Sequence, residues 1–269
     1  MVQKFFETGF LLKELNHTNI VLIPKQDNPS LITYFRPISL CNVAYKIISK
    51  IMTSRLKPLI SRLISPAQNA FVPHRHSQEN SILVHEPMHT LKRKQGRGGL
   101  MAIKIDLEKA YDKVDRGFLD EVLRCFGFSQ KWRQLVRQCV STVFFSVLIN
   151  GSPFGFFHPS RVLGQGDPLS RFLFILVMEA LSRLVACAEH AGNFHSIKIA
   201  RVAPPISHLL FADDLTFFGR ATTREATTLR DVLNTFERWT GQTINLSKSF
   251  LSFSRKMDPN LSTRICSIL

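Results

Sequence analysis

Two apolar runs that flank a pair of adjacent aspartates place the strongest constraint on the fold of this chain. Residues 208–218 read HLLFADDLTFF, so Asp213 and Asp214 are flanked by side chains that favour a buried location. An unpaired carboxylate is costly to bury, and two neighbouring carboxylates ionise together only when a cation lies close to them. The pattern predicts a β-hairpin with both acids at its tip and a metal ion beside them. A solvated turn is the alternative, since Asp is common in turns.

A third acid, Asp106, ends the apolar segment LMAIKID at residues 100–106, which predicts a buried strand. A carboxylate at the end of such a strand is well placed to bind a metal ion, and capping of a helix in the residues that follow is the alternative. Two magnesium ions about 4 Å apart can hold the attacking and leaving oxygens of a phosphoryl transfer. The acids together therefore indicate phosphoryl-transfer chemistry.

The segment GQGDPLS at residues 164–170 lies between these acids in the sequence. Its glycines allow the backbone to approach a ligand closely, immediately before the start of a helix. Asp167 is a suitable cap for that helix, which is predicted over residues 169–188 and is apolar nearly all round, as in a protein core. A plain turn before a capped helix is the alternative for this loop.

The charge of the chain indicates the kind of partner that it binds. Its 269 residues include 35 Lys and Arg but only 20 Asp and Glu, a formal net charge of +15. Such an excess favours a polyanion, with nucleic acid as the first candidate and a ribosome-like or membrane-surface protein as the alternative. A hydrophobic content of 45% excludes disorder as the main state.

The sequence also carries signals about the compartment. No apolar run of about 18 residues or signal-peptide core is present, which predicts no membrane association. The five cysteines include no CxxC pair, so we expect buried free thiols in a reducing compartment. We therefore predict an intracellular protein, and no signal distinguishes nucleus from cytoplasm.

Hydrophobic spacing predicts an α+β fold, in which strands and helices interleave without strict alternation. The linker-like segment KRKQGRGG at residues 92–99 predicts a boundary between subdomains. The further predicted elements are strands at residues 19–24 and 144–150, the second ending in an Asn-Gly turn, and helices at residues 37–59, 117–126, 132–142 and 223–239.

Taken in order, these segments resemble the reverse transcriptases of non-LTR (LINE-type) retrotransposons, particularly plant copies. The palm motifs of that family resemble IDLEKAYDKVD around Asp106, GQGDPLS, FADD at residues 211–214 and GQTINLSKS at residues 241–249. The fingers resemble HTNIVLIPK, YFRPISL, YKIISKIMTSRL and QNAFVPHRHSQENSIL. The resemblance implies a right-hand polymerase fold with an antiparallel palm sheet backed by helices. It assigns residues 1–99 to fingers, 100–255 to a palm and 256–269 to a truncated tail, with the thumb absent.

The resemblance also implies roles for individual residues. Asp106 and Asp213 would bind two Mg²⁺ ions, or Mn²⁺ in their place, with Asp214 as a supporting acid and the backbone carbonyl of Leu107 as a further ligand. Lys248 would protonate the leaving pyrophosphate. The residues implied to bind the incoming nucleotide are Lys25, Arg36, Tyr111, Gln165 and Gly166.

Two of these assignments have structural alternatives. Tyr111 resembles the aromatic gate that excludes a 2′-hydroxyl, and an ordinary core tyrosine is the alternative. Lys25 and Arg36 resemble finger residues that close on the triphosphate, where Arg supplies a bidentate fork and Lys a point charge. Solvated surface bases are the alternative for both.

The function implied is that of an RNA-directed DNA polymerase, which extends a primer 3′-hydroxyl with dNTPs on an RNA template. Its partners would be the RNA template, the DNA primer and dNTPs, and no protein partner is indicated. One alternative is a catalytically decayed remnant that still binds nucleic acid, since Arg171 stands where the family usually has Pro. An RNA-templated RNA polymerase is the other alternative.

Overall fold

The computed structural model describes residues 1–75, 77–93, 99–161, 163–200 and 202–269, with only the backbone given for residues 77–83. The described helices are α1 (Val2–Thr8), α2 (Val43–Leu63), α3 (Ser77–Arg93), α4 (Arg116–Cys125), α5 (Gln130–Ser141), α6 (Ser170–His190), α7 (Thr223–Thr240) and α8 (Pro259–Ile268). The described strands are β1 (His17–Pro24), β2 (Phe35–Cys41), β3 (Leu100–Asp106), β4 (Phe144–Ile149), β5 (Ser152–Phe157), β6 (His208–Phe211), β7 (Asp214–Arg220) and β8 (Phe250–Phe253). The predicted α+β class is confirmed.

Two compact units make up the chain, and each combines two segments. Unit 1 comprises Met1–Ile60 and Tyr111–Leu176, and unit 2 comprises Ser61–Ala110 and Val177–Leu269. Neither unit is continuous in sequence, because the chain passes from one to the other three times: within α2, between Ala110 and Tyr111, and within α6. The predicted division into fingers and palm at residue 99 stays a prediction. Most of the linker-like segment that marks it, residues 94–98, lies outside the described residues.

The sheet of unit 2 has the strand order β6-β7-β3-β8, with every neighbouring pair antiparallel. Strand β3 lies between β7 and β8, and its apolar side chains are buried as the run LMAIKID predicts. Burial of each large apolar side chain contributes about 1.5–3 kcal/mol, so this sheet has a stable centre. The core cluster beside it contains Leu91, Leu100, Ala102, Ile197, Leu209 and Phe218.

The predicted hairpin forms from β6 and β7, although only one of its acids lies in the turn. Phe211 pairs with Asp214, so the turn residues are Ala212 and Asp213. Asp214 is the first residue of β7 and not a tip residue, which corrects the prediction. Ala212 takes a left-handed conformation with φ of 55°, and this allows the chain to reverse within two residues.

The sheet of unit 1 has the order β2-β1-β4-β5, in which β1 and β4 are parallel and the other pairs antiparallel. The helix predicted at residues 37–59 is wrong over its first residues, because these belong to β2 and α2 begins at Val43. Pro37 has no N–H to donate, and it is tolerated because β2 is an edge strand.

Strand β4 ends in the predicted Asn150-Gly151 turn, where both residues have positive φ (49° and 81°). This turn leads into β5, which the sequence did not predict because Pro153 and Gly155 disfavour strands. Every residue of β5 is exposed, so no alternation of apolar and polar side chains marks the strand.

Helix α3 continues through Pro87, although proline lacks the N–H that an interior position of a helix requires. Helix α6 matches its prediction, and Gly192 follows its end with φ of 67°. The tail after residue 255 contains α8, whose first turn is capped by Asp258.

All five cysteines are free. Cys41 and Cys139 are buried as predicted, whereas the prediction of burial is wrong for the other three, Cys125, Cys187 and Cys266. None of the helices in the described ranges is long and apolar enough to span a bilayer.

Candidate active site

The ends of β3 and β7 place two of the three acids opposite each other. Asp106 is the last residue of β3, Asp214 is the first residue of β7, and the antiparallel register pairs them directly. Residues paired in this way point to the same face of a sheet, with Cβ atoms about 4.5–5.5 Å apart. Asp213 precedes Asp214 in the turn, so the acids lie together at one end of the sheet.

The grouping of the acids affects the pKa of Asp213, which is half-buried. Burial raises the pKa of its carboxyl above the ordinary value, and the negative charges of Asp214 and Asp106 raise it further. Lys248 acts in the opposite direction, because its positive charge favours the ionised carboxylate. A cation bound near these acids would relieve the same repulsion.

Two lysines approach the acids. The Nζ atom of Lys248 lies 3.8 Å from Oδ2 of Asp106, while its role as a proton donor stays a prediction. The Nζ atom of Lys104 lies 3.4 Å from Oδ1 of Asp214, and the sequence analysis did not single out this residue. Lys104 precedes Asp106 by two residues in a strand, so the period-two rule would have assigned both to one face.

The segment GQTINLSKS supports Asp106 through its backbone. The N–H of Asn245 donates to the carbonyl of Asp106 at 2.8 Å, and the N–H of Asp106 donates to Oγ of Ser249 at 3.2 Å. Oγ of Ser249 in turn donates to the carbonyl of Asn245 at 2.8 Å. The N–H of Lys248 also donates to that carbonyl, at 3.1 Å. The same turn therefore holds the acid and presents the lysine.

The structure of the residues after Asp106 tests whether this aspartate caps a helix. Leu107 is buried and forms an antiparallel bridge with Ile244, and only a short 3₁₀ helix, Ala110–Asp112, precedes α4. Helix α4 is capped by Asp115, whose side chain accepts the N–H of Phe118. The capping alternative for Asp106 is therefore wrong, while the carbonyl of Leu107 as a metal ligand stays a prediction.

The donor set can be compared with what metal ions require. Within the described ranges, no three carboxylate, imidazole or thiol groups converge into a ready-made metal centre. Magnesium does not need one, since it commonly binds through one or two carboxylates and is completed by water and substrate phosphates. The opposed carboxylates of Asp106 and Asp214, with Asp213 beside them, fit a centre of that kind.

In unit 1, the glycine loop lies against β2. The N–H of Ser39 donates to the carbonyl of Gln165 at 2.9 Å. Gly166 has φ of 106°, and a Cβ atom there would lie 3.0 Å from the carbonyl oxygen of Ser39. Both the backbone conformation and the close approach therefore require glycine at this position.

Asp167 anchors the same loop. It is buried, its carboxylate accepts the N–H of Leu169 at 3.4 Å and Oγ–H of Ser170 at 3.1 Å, and it thereby caps α6 as predicted. Tyr45 donates to it at 3.1 Å, and Ser49 also donates to it, both from α2. Burial raises the pKa of Asp167, and the bonds from Ser49, Leu169, Ser170 and Tyr45 oppose that shift.

The paired strands β1 and β2 determine where the two predicted finger bases lie. Arg36 is exposed on β2 opposite Ile23, and Lys25 is exposed immediately after β1. The Nζ atom of Lys25 donates to the carbonyl of Thr33 at 2.9 Å. Exposure of this kind suits both a triphosphate contact and a solvated base, so the assignment stays a prediction.

Tyr111 also lies in unit 1, where it is half-buried. Its ring stacks on Phe174 with centroids 4.5 Å apart, and its carbonyl accepts the N–H of Leu163 at 2.8 Å. The stacking holds the ring in one orientation, which a steric gate and a core tyrosine both require. Its role in sugar selection stays a prediction.

Comparison with known proteins identifies the family. A profile of the family described as Reverse transcriptase (RNA-dependent DNA polymerase) matches residues 23–259. The chain belongs to this reverse transcriptase family. By family it is an RNA-directed DNA polymerase domain, as the order of its motifs predicted.

Several relatives of the chain come from retrotransposons. The chain is 32% identical over 177 residues to a protein of transposon TX1 from Xenopus laevis, covering 65% of the chain and 13% of that protein. It is 28% identical over 211 residues to the Pol polyprotein of retrotransposable element R2 from Drosophila melanogaster, covering 78% and 19%. It is 52% identical over 67 residues to an uncharacterized mitochondrial protein of Arabidopsis thaliana, covering 25% and 55%. The reverse transcriptase is therefore of the non-LTR retrotransposon kind, and the chain spans only part of each relative.

Among solved structures, the chain is similar to telomerase from Candida tropicalis in complex with a fragment of telomeric RNA. The TM-score is 0.61 at 13% identity, over 96% of this chain and 45% of that one. This likeness confirms the predicted fingers and palm fold.

Proposed function

We propose that this chain is the catalytic part of a reverse transcriptase that adds dNTPs to a primer 3′-hydroxyl on an RNA template. The observation that carries the proposal is the register of β3 and β7, which pairs Asp106 with Asp214 next to Asp213. We further propose that the element is a plant retrotransposon, which the 52% identity to the Arabidopsis protein over 67 residues supports.

Reverse transcriptases generally use divalent metal ions, and we propose two Mg²⁺ ions here. Asp106 and Asp213 would hold them, with Asp214 as the supporting acid and the carbonyl of Leu107 as a further ligand. When bound, the ions would stabilise the charge that develops on the attacking and leaving oxygens. Burial, together with repulsion from Asp214 and Asp106, raises the pKa of Asp213, and this favours the assignment because a bound cation lowers the cost of ionising the carboxyl.

The remaining residues would bind the incoming nucleotide, orient it or protonate the leaving pyrophosphate. Lys248, whose Nζ atom lies 3.8 Å from Asp106, would donate a proton to the leaving pyrophosphate. Gln165 and Gly166 would contact the incoming nucleotide through a loop held against Ser39. The ring of Tyr111 would exclude a 2′-hydroxyl.

Binding of the nucleic acid would depend on charge. The formal net charge of +15 favours an RNA template paired with a DNA primer, and Lys25 and Arg36 would neutralise the triphosphate of the dNTP. Affinity for a duplex carried by phosphate contacts falls with salt, with a logarithmic slope of about −0.9 per contact for DNA.

Single-nucleotide extension of a DNA primer on an RNA template tests the proposal. Asp213→Asn removes one charge at nearly constant volume, so we expect a loss of at least about 100-fold in the rate of addition. Asp231→Asn is the matched control, because it makes the same chemical change on the exposed surface of α7 and should keep the parent rate.

Each outcome of this assay has a definite meaning. Equal rates for the parent and Asp213→Asn would overturn the metal assignment. A parent that binds the hybrid but adds no nucleotide would identify a decayed remnant, and faster addition of rNTPs than dNTPs would identify an RNA polymerase.

A further inference from the structure

The segment that follows α2 lies along the free edge of β6. The N–H of Leu210 donates to the carbonyl of Ala67 at 2.8 Å, and the N–H of Asn69 donates to the carbonyl of Leu210 at 3.0 Å. Gln68, between them, is thereby bridged in parallel to Leu210. This short extension ends beside the hairpin that carries the catalytic acids.

The side chain of Gln68 reaches the turn itself. Gln68 is 1% exposed, and its Oε1 atom accepts the N–H of Ala70 at 3.0 Å and the N–H of Ala212 at 3.1 Å. Since both neighbours are donors, the amide oxygen must face them, which defines the orientation of the side chain. Its Nε2 atom has no hydrogen-bond partner among the described residues.

Ala212 needs such support because of its backbone conformation. Its φ of 55° is left-handed, a conformation that is strained for a residue with a Cβ atom. Hairpin turns of two residues usually meet this requirement with glycine. Here the bond from Ala212 to Gln68 holds the residue, and Asp213 is the next residue in the chain.

The loop that carries Gln68 is itself held by two charged side chains. The guanidinium of Arg75 donates to the carbonyls of Ile64 at 3.2 Å, Ser65 at 2.6 Å and Gln68. The carboxylate of Glu179, which is fully buried, accepts the N–H of Ser65 at 2.9 Å. The backbone that carries Gln68 is therefore held by side-chain hydrogen bonds, and the two N–H donors of Ala70 and Ala212 hold its amide oxygen.

We propose that Gln68 is a positioning residue that sets the location of the Asp213 carboxylate by holding Ala212 in its left-handed conformation. The inference rests on the proposed function, in which Asp213 binds a divalent ion. Loss of the Gln68 acceptor would release the turn, and the Asp213 carboxylate would spend less time beside Asp106 and Asp214.

Binding of Mn²⁺ to the protein, measured by the electron paramagnetic resonance of the free ion, tests this role without requiring catalysis. Gln68→Met keeps the length of the side chain and removes the acceptor, and we expect about tenfold weaker Mn²⁺ binding, or about 1.4 kcal/mol. Adding Ala212→Gly should recover at least about threefold of that loss, because glycine adopts positive φ at no steric cost. Ala212→Gly alone should stay within about twofold of the parent.

Two controls separate positioning from stability and from the proposed function. Leu233→Ala removes buried volume from α7 and should lower the melting temperature with Mn²⁺ affinity unchanged. Equal affinity in the parent and Asp213→Asn would defeat the proposed metal site. Weaker affinity in Asp213→Asn together with parent-like affinity in Gln68→Met would defeat only the role of Gln68, as would a loss that Ala212→Gly leaves unchanged.

The parent protein provides a second test that does not depend on folding of a variant. The Ala212 amide lies in a turn, yet its bond to Gln68 should protect it from hydrogen exchange relative to the exposed turn amide of Gly151. Equal exchange rates at Ala212 and Gly151 would overturn the proposal.

Discussion

The two four-stranded sheets differ in how deeply their strands are buried. In unit 2, β3 and the interior of β7 are almost entirely buried, and the acids project from the ends of those strands. In unit 1, β5 is fully exposed and β2 carries Arg36 on its exposed side. Carboxylates that hold a metal need positions defined to a fraction of an ångström, and a packed sheet supplies them. Bases that meet a charged substrate need access to solvent, so an exposed strand suits them.

The largest expected difference between the sheets is in stability. Phe217→Ala removes a fully buried ring from β7 and should lower the free energy of unfolding by about 3–5 kcal/mol. Phe154→Ala makes the same change on β5, where the ring is 55% exposed, and should cost less than about 1 kcal/mol. Urea unfolding of both variants measures the contrast, and similar losses would mean that the two sheets do not differ in this way.

Acid should weaken the buried sheet through His208. Burial lowers the pKa of this imidazole to about 4 from its ordinary 6.5, and its ring nitrogens contact the hydroxyls of Ser207 and Ser182 at 2.9 and 3.0 Å. Below pH 6.5 the unfolded chain binds a proton that the folded chain rejects until about pH 4, so stability is lost as pH falls through this window. The loss amounts to about 3 kcal/mol.

His208→Gln tests this assignment, because glutamine keeps polar atoms and does not titrate. The free energy of unfolding of the variant, relative to that of the parent, should improve by about 3 kcal/mol between pH 6.5 and pH 4. Parallel stability curves for the two proteins would show that another group is responsible for the acid sensitivity.

Substitutions in the exposed sheet should instead affect substrate binding. Arg36→Ala removes a bidentate donor, and we expect KM for dNTP to rise about tenfold, while the free energy of unfolding stays within about 0.5 kcal/mol of the parent. Steady-state extension kinetics measure KM, and Arg264→Ala on α8 is the control for loss of an exposed positive charge. An unchanged KM for Arg36→Ala would show that Arg36 is a solvated surface base and does not contact the triphosphate.

Local patterns predicted much of the fold and part of the site. The apolar run of β3, the all-apolar α6 and the hairpin around FADD were each recognised, because burial leaves a periodic or continuous apolar signature. Strand β5 left none, since all of its residues are exposed. Residues 37–41 of β2 were assigned to a helix, because a proline argues against a strand unless the strand is at an edge, and the sequence does not reveal that position.

The sequence by itself determined the candidate acids, the order of the motifs and therefore the family. Only the tertiary structure decided that Asp106 faces Asp214, that Lys104 forms an ion pair with Asp214 and that Gln68 accepts the N–H of Ala212, the residue before Asp213. Gln68 and Ala212 are 144 residues apart, and a hydrogen bond between such residues depends on strand register and on the path of the intervening chain. Periodicity reports which face of an element is buried, but it carries no information about which distant residue lies opposite, so these contacts required the structure.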